Sequence, residues 1–157
     1  MNARELRIGN WVYPNDENAT PWEVSGALEN AVFFLSREGF NISTTVDASN
    51  LEPIPLTEEW LEKFGFLSET IMRKDVYSDK QMPHHQFKIE GFDSDIILQD
   101  HINSFERNIL EKGKLGQHGW YVTTDKLIGS GGLAICHYVH QLQNLYFALT
   151  GEELALS

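Results

Sequence analysis

The first third of the chain alternates short apolar segments with polar, turn-forming residues, and this pattern limits the fold more than any other feature. β-Branched and aromatic residues concentrate at 9–13, 22–24, 31–35 and 40–46. Four or five strands joined by tight turns within so short a stretch are typical of a small, strongly bent barrel. The sequence therefore predicts an SH3-like β-barrel over residues 1–53.

A short helix is predicted directly after this barrel. Two prolines interrupt strand pairing there, because proline cannot donate a ladder hydrogen bond. Thr57 suits the N-cap position, and Glu58 and Glu59 follow in the first turn, where the helix dipole favours anions. Gly65 can take the left-handed conformation that ends a helix. We therefore expect about two helical turns between Thr57 and Gly65.

The middle of the chain predicts a β-meander with one inserted helix. Strand-like segments occur at 70–77, 86–90, 95–99, 120–123 and 133–137. Between them, residues 102–112 carry apolar side chains at helical spacing. A glycine-rich segment at 129–132 predicts a turn before the last strand.

The closing segment, residues 138–150, predicts the clearest helix of the chain. At 100° per residue its apolar side chains fall on one arc, and Gly151 suits the position after the last turn. That arc consists of Tyr138, Val139, Leu142, Leu145, Tyr146 and Leu149. Together the elements predict an α+β fold class, with an SH3-like β lobe at 1–53 and an α+β lobe at 54–157 packed as one compact unit.

The charge of the chain argues against several classes of partner. The formal net charge is −11, and no run of Lys or Arg is present to neutralise phosphates. Nucleic acid and anionic membrane surfaces are therefore disfavoured. The sequence shows no signal peptide and no apolar stretch of membrane-spanning length, and its single cysteine, Cys136, lies in an apolar run where a buried, inert thiol is expected. We therefore expect a cytoplasmic protein.

No catalytic, metal-binding or cofactor-binding signature is stronger than its structural explanation. His137 and His140 have helical spacing, but a zinc site needs three or four ligands in ordered spacing. The glycines at 129–132 lack the lysine of a phosphate-binding loop and lead into a strand-like run. We therefore predict no catalytic residues, no metal site and no cofactor, and an enzyme is the less favoured reading.

The back of the closing helix is poor in charge. It holds His140, Gln143, Asn144 and Phe147, opposite the apolar arc. Solvated helix surfaces normally carry ionised side chains and seldom centre on a phenylalanine. Either the chain itself covers both sides of the helix, or these four residues form a docking surface for a partner protein, since interface cores are depleted in charge. Both alternatives remain open at this point.

Three segments together carry a family resemblance: ELRIGNWVY at 5–13, IPLTEEWLEKFGF at 54–66 and YVHQLQNLYFALTG at 138–151. They resemble a family of small uncharacterised proteins found in Bacteroidetes-type bacteria and in their phages and mobile elements. The resemblance covers about a quarter of the chain. It implies a bacterial cytoplasmic setting, and no activity or catalytic residue, because the family has none assigned.

Three functions follow as hypotheses. The first is a non-enzymatic protein-binding or regulatory module that uses the back of the closing helix or the rim of the barrel. The second is an enzyme or small-ligand binder with an unfamiliar site between the two lobes. The third is weak nucleic-acid binding by the barrel, with Trp11 and Trp22 stacking on bases and Arg4 and Arg7 supplying local positive charge.

Overall fold

The computed structural model of the protein describes residues 1–15, 20–28, 32–37, 40–74, 80–90, 96–100, 119–124 and 133–157. The chain divides into two compact units. The first comprises Met1–Leu56 and Tyr138–Ala155, and the second comprises Thr57–His137 and Leu156–Ser157. The closing helix therefore belongs to the unit of the N-terminal strands, whereas the sequence assigned it to the second lobe.

The first unit is built on a five-stranded antiparallel sheet with the order β4-β3-β2-β1-β5. Its strands are β1 (Trp11–Pro14), β2 (Trp22–Leu28), β3 (Val32–Arg37), β4 (Phe40–Asp47) and β5 (Leu51–Pro53). Alternating apolar residues point into one core, as expected for strands with one solvated face. The core residues are Leu6, Val12, Val24, Phe33, Leu35, Ala48 and Leu51.

The predicted SH3-like barrel is wrong. Closing this sheet into a barrel requires its two edge strands, β4 and β5, to pair, and the described strands show no such pairing. β5 has three residues and ends at Pro53, which has no N–H to donate to a ladder. Alternation of apolar and polar residues predicts strands, but closure depends on strand tilt and stagger, which alternation does not encode.

The second unit also contains a five-stranded antiparallel sheet, with the order β10-β9-β8-β7-β6. Its strands are β6 (Leu67–Lys74), β7 (Gln81–Ile89), β8 (Ile96–Asp100), β9 (Trp120–Thr124) and β10 (Ala134–Cys136). Phe87 and Trp120 meet edge to face with ring centroids 5.5 Å apart, beside the fully buried Leu98 and Val122.

The predicted α+β class is wrong, because the protein is predominantly β, with two antiparallel sheets.

The helix predicted after the first sheet is present as α1 (Glu58–Lys63). The Thr57 hydroxyl caps it by accepting a hydrogen bond from the Trp60 amide at 3.4 Å, and Gly65 follows with φ of 81°. The inserted helix expected at 102–112 and the turn expected at 129–132 lie outside the described residues.

The closing helix, α2 (Val139–Thr150), agrees with its prediction in position and end. The amide of Val139 donates to the carbonyl of Ile54 at 2.9 Å, which fixes the start of α2 beside the end of the first sheet. Gly151 ends it in the left-handed conformation, and its amide donates to the carbonyl of Phe147 at 2.8 Å. Among the described residues no helix has the length and apolar character needed to cross a bilayer.

Candidate functional site

Gln143, one of the four residues on the back of α2, has a side chain that is only 1% exposed. Its amide nitrogen donates to the carbonyl of Gly9 at 2.8 Å and to that of Leu154 at 3.4 Å. Its amide oxygen accepts from the Trp11 amide at 3.0 Å. One side chain thus forms hydrogen bonds with backbone groups of the N-terminal segment and of the segment that follows α2.

Asn144 extends the same seam between α2 and the N-terminal segment. Its amide nitrogen donates to the carbonyl of Glu5 at 2.7 Å, and its oxygen accepts from the side chain of Asn10 at 3.0 Å. Asn10 is fully buried, and its side-chain oxygen accepts from the Arg7 amide at 2.8 Å. The two asparagines therefore fix the path of residues 5–10 against α2.

His140 is equally buried but differently satisfied. Its side chain is 1% exposed, and neither ring nitrogen has a hydrogen-bond partner among the described residues. The nearest acidic atom is Oε2 of Glu5, 3.6 Å from Nε2, and the ring of Tyr138 stacks on the imidazole at 5.8 Å. Burial lowers the pKa of His140, while the Glu5 carboxylate acts in the opposite direction. The imidazole is therefore held mainly as the neutral form.

Phe147, at the edge of this face, is 36% exposed and has an arginine stacked on its ring. The guanidinium of Arg7 lies over the phenyl ring, 3.7 Å from its centroid. The same guanidinium donates to Oε1 of Glu153 at 2.9 Å. A cation over an aromatic ring contributes about 0.5–1 kcal/mol at an exposed site. The aromatic side chain that suggested a docking surface is thus in contact with its own chain.

The back of α2 therefore faces the N-terminal segment of its own unit, which is the intramolecular alternative left open by the sequence. The covering elements are residues 5–11 and the chain after α2. The back of α2 carries few charges for a physical reason. Burying an amide that pairs with backbone groups costs much less free energy than burying an ion.

The residues suggested for nucleic-acid stacking are also engaged in the fold. Trp11 is buried and Trp22 is half-buried, so the two rings do not form an exposed pair of the kind that single strands stack on. Arg7 is committed to Phe147 and Glu153. Arg4 is exposed, and one guanidinium supplies little of the charge that phosphate binding needs.

The single cysteine behaves as the sequence predicts. Cys136 is buried at the end of β10, and burial raises the pKa of its thiol to about 12. The thiol therefore stays protonated at neutral pH and is a poor nucleophile. Within the described ranges, no three His, Cys, Asp or Glu side chains come together as metal ligands.

The second unit carries a different feature, a β-ribbon formed by β6 and β7. The two strands pair over eight positions without a break in register, from Leu67 opposite Lys88 to Lys74 opposite Gln81. Within the described ranges, β8 pairs with the part of β7 between Gln86 and Ile89. The outer part of the ribbon therefore extends beyond the paired portion of β8.

Side-chain hydrogen bonds fix the inner part of this ribbon. The amide of Gln86 donates to Oε1 of Glu69 at 2.6 Å and its oxygen accepts from Gln99 at 2.8 Å. Nearby, Oγ of Ser68 lies 2.6 Å from Nε2 of His85. These contacts link β6, β7 and β8 in a defined register. The register of the ribbon is thus fixed by side-chain hydrogen bonds as well as by backbone pairing.

The outer side of β6 is an open strand edge, which we call the β6 edge (residues 67–74). Among the described residues no strand pairs with β6 on the side away from β7. Leu67 is 74% exposed on one face and Met72 is 58% exposed on the other, while Ile71 is half-buried. A long exposed edge presents unpaired N–H and C=O groups to which another extended chain can pair.

The other three sheet edges each carry a feature that discourages such pairing. β5 and β10 have only three residues each, and β5 ends in a proline. The ladder between β3 and the edge strand β4 shifts register between Ser36 and Arg37. Short strands, proline and bulges are the devices by which proteins protect edges. β6 has eight residues, no proline and no register shift.

Sequence reasoning missed this edge. The strand predicted at 70–77 overlaps β6, but a local pattern does not tell an edge strand from a central one, since that depends on the order of strands in the sheet. One signal was available: apolar residues fall on both faces of β6, at Leu67, Ile71 and Met72, with polar residues between them.

Comparison of the chain with family models, with curated proteins and with solved structures finds no match.

Proposed function

We propose that this protein is a non-enzymatic protein-binding module that takes an extended segment of a partner protein along the β6 edge. The observation that carries the proposal is the contrast between β6 and the three protected edges. β6 is long, regular and exposed, while the other edges are short or irregular. Strand addition to such an edge is a common mode of peptide recognition.

The side chains of the β6 edge suit an extended partner segment that is uncharged or that carries charges of both signs. Main-chain hydrogen bonds would supply affinity, and the alternating side chains of β6 would supply specificity. Leu67 and Met72 offer apolar contact on opposite faces, while Glu69 is the one acidic residue of the strand.

The proposed setting is the bacterial cytoplasm, including cells that carry phages or mobile elements. The resemblance of residues 5–13, 54–66 and 138–151 to proteins of that origin supports this setting. A chain with one cysteine, which is buried, also has no need of an oxidising compartment. Nucleic acid is not the proposed partner, because the chain carries a net charge of −11.

Selection of displayed peptides tests the proposal without a known partner. Random peptides displayed on yeast are selected against the full chain and retested against two variants, Met72→Lys and Leu28→Lys. Both variants convert an exposed apolar side chain into lysine, at 58% and 51% exposure, but only Met72 lies on the β6 edge. Loss of cross-strand contact worth roughly 0.5–1 kcal/mol should weaken peptide binding to the Met72→Lys variant several-fold.

The Leu28→Lys variant should bind the same peptides as the wild type. Selected peptides should also be rich in alternating β-forming residues, and should protect backbone amides of residues 67–74 from hydrogen exchange. Peptides that bind both variants equally, or that leave the exchange of residues 67–74 unchanged, would contradict the proposal. Failure to select any binder from a diverse library would count against it as well.

A further inference from the structure

We propose that a second copy of this chain occupies the β6 edge, pairing its own β6 antiparallel about a two-fold axis at Ile71. The inference rests on the proposed function, because it assigns the occupant of the same edge. It would join two five-stranded sheets into one continuous sheet and pair both open edges at once. Such self-complementary contact is the usual form of a symmetric dimer.

The two-fold axis restricts the register. Because the axis runs perpendicular to the sheet, it must pass through a position at which one residue faces its own copy. An axis at Thr70 would set Glu69 opposite Ile71 on both sides, placing a charge against an apolar side chain. An axis at Met72 would set Ile71 opposite Arg73 in the same way. Neither of these registers matches like with like.

An axis at Ile71 gives a complementary arrangement over residues 69–73. Ile71 faces itself, Thr70 faces Met72, and Glu69 faces position 73, an arginine in the sequence. By symmetry the acid–base pair occurs on both sides of the axis. Opposite charges and apolar pairs facing each other across strands each stabilise a sheet, whereas like charges destabilise it. The only acidic residue of β6 is thus matched with a basic one in this register alone.

The geometry of the edge is consistent with this pairing. β6 pairs with β7 in an unbroken register on its inner side, so its outer backbone groups are presented in a regular extended form. Glu69 is positioned by the amide of Gln86, whose nitrogen lies 2.6 Å from Oε1. A pre-organised strand loses less conformational freedom on pairing than a flexible one. The second copy supplies a strand that is ordered to the same degree.

Sedimentation velocity of the full chain over a range of concentrations tests the inference through a charge exchange. The wild type should dimerise as concentration rises. Glu69→Lys alone should raise the dimer dissociation constant about tenfold or more, because two attractive pairs become repulsive. Arg73→Glu alone should do the same. An equimolar mixture of the two variants should form a heterodimer, since each charge then meets its opposite, and this rescue also shows that both variants fold.

The outcomes separate the two claims. A wild-type chain that stays monomeric at every concentration, or variants that fail to rescue each other while both remain folded by circular dichroism, would overturn self-pairing. If selected peptides still lose affinity for the Met72→Lys variant in that case, the proposed function stands with a different occupant. If the chain is monomeric and no peptide depends on Met72, both the dimer and the proposed function are contradicted.

Discussion

The back of α2 and the β6 edge both mix polar and apolar side chains, but the structure uses them in opposite ways. On α2, Gln143 and Asn144 pair with backbone groups of residues 5–11 and of the chain after the helix. On β6, Leu67 and Met72 are exposed, and the outer side of the strand has no partner strand among the described residues. The uncharged back of α2 is therefore an internal contact of the first unit. The β6 edge, which we propose for binding, is the more polar of the two surfaces.

Gln143 should show the largest effect on stability. Gln143→Leu keeps the volume of the side chain but removes its buried hydrogen bonds with the Trp11 amide and the Gly9 carbonyl. Groups left unsatisfied in this way cost about 1–3 kcal/mol each, so we expect a loss of about 2–3 kcal/mol in the free energy of unfolding. Urea denaturation followed by circular dichroism measures it.

The matched control is Leu149→Ala on the exposed part of the same helix, for which we expect a change of about 0.5 kcal/mol or less. If Gln143→Leu is no more destabilising than this control, α2 is not fixed by the amide seam. The back of the helix would then be available to other partners, and the contrast with β6 would lose its basis.

His140 should show a smaller effect, with a distinctive pH dependence. Its folded pKa is lowered by burial, so the unfolded state binds the proton more readily. Its contribution to stability is therefore complete above the unfolded pKa of roughly 6.5 and is lost as the pH falls below it. Glu5 and Tyr138 are the titratable groups beside it. His140→Leu should remove this part of the decline between neutral and mildly acidic pH.

At neutral pH the His140→Leu variant should be close to the wild type or slightly more stable, because the imidazole nitrogens have no hydrogen-bond partner among the described residues. Urea denaturation at pH 7.5, 6.5 and 5.5 compares the two. An unchanged pH dependence would show that the imidazole does not titrate as the buried geometry requires. A large loss at neutral pH would show instead that His140 is hydrogen-bonded as firmly as Gln143.

The sequence predicted individual elements better than their assembly. The capping of α1 by Thr57 and the end of α2 at Gly151 follow from local rules and were predicted correctly. The barrel was wrong because closure is a property of strand tilt and edge pairing, and Pro53 in a three-residue β5 was read only as a strand end. Local patterns carry little information about which strand becomes an edge.

The same limit applied to the candidate site. The sequence showed correctly that the back of α2 is unusual, since His140 and Gln143 stand where ions would be expected. It left open whether that face is covered, because the segment that covers it, residues 5–11, lies far away in the chain. The β6 edge gave a weaker signal, which was the presence of apolar residues on both faces of the strand.

The central claim is that the outer side of β6 is open in a single copy of the chain. Hydrogen exchange of residues 67–74, followed from high to low protein concentration, tests it most directly, with β9 as the protected internal reference. At the lowest concentration we expect alternate amides of β6 to exchange rapidly while their neighbours, paired to β7, remain protected. Uniform protection of all β6 amides at every concentration would show that the chain covers this edge itself, and would contradict the account.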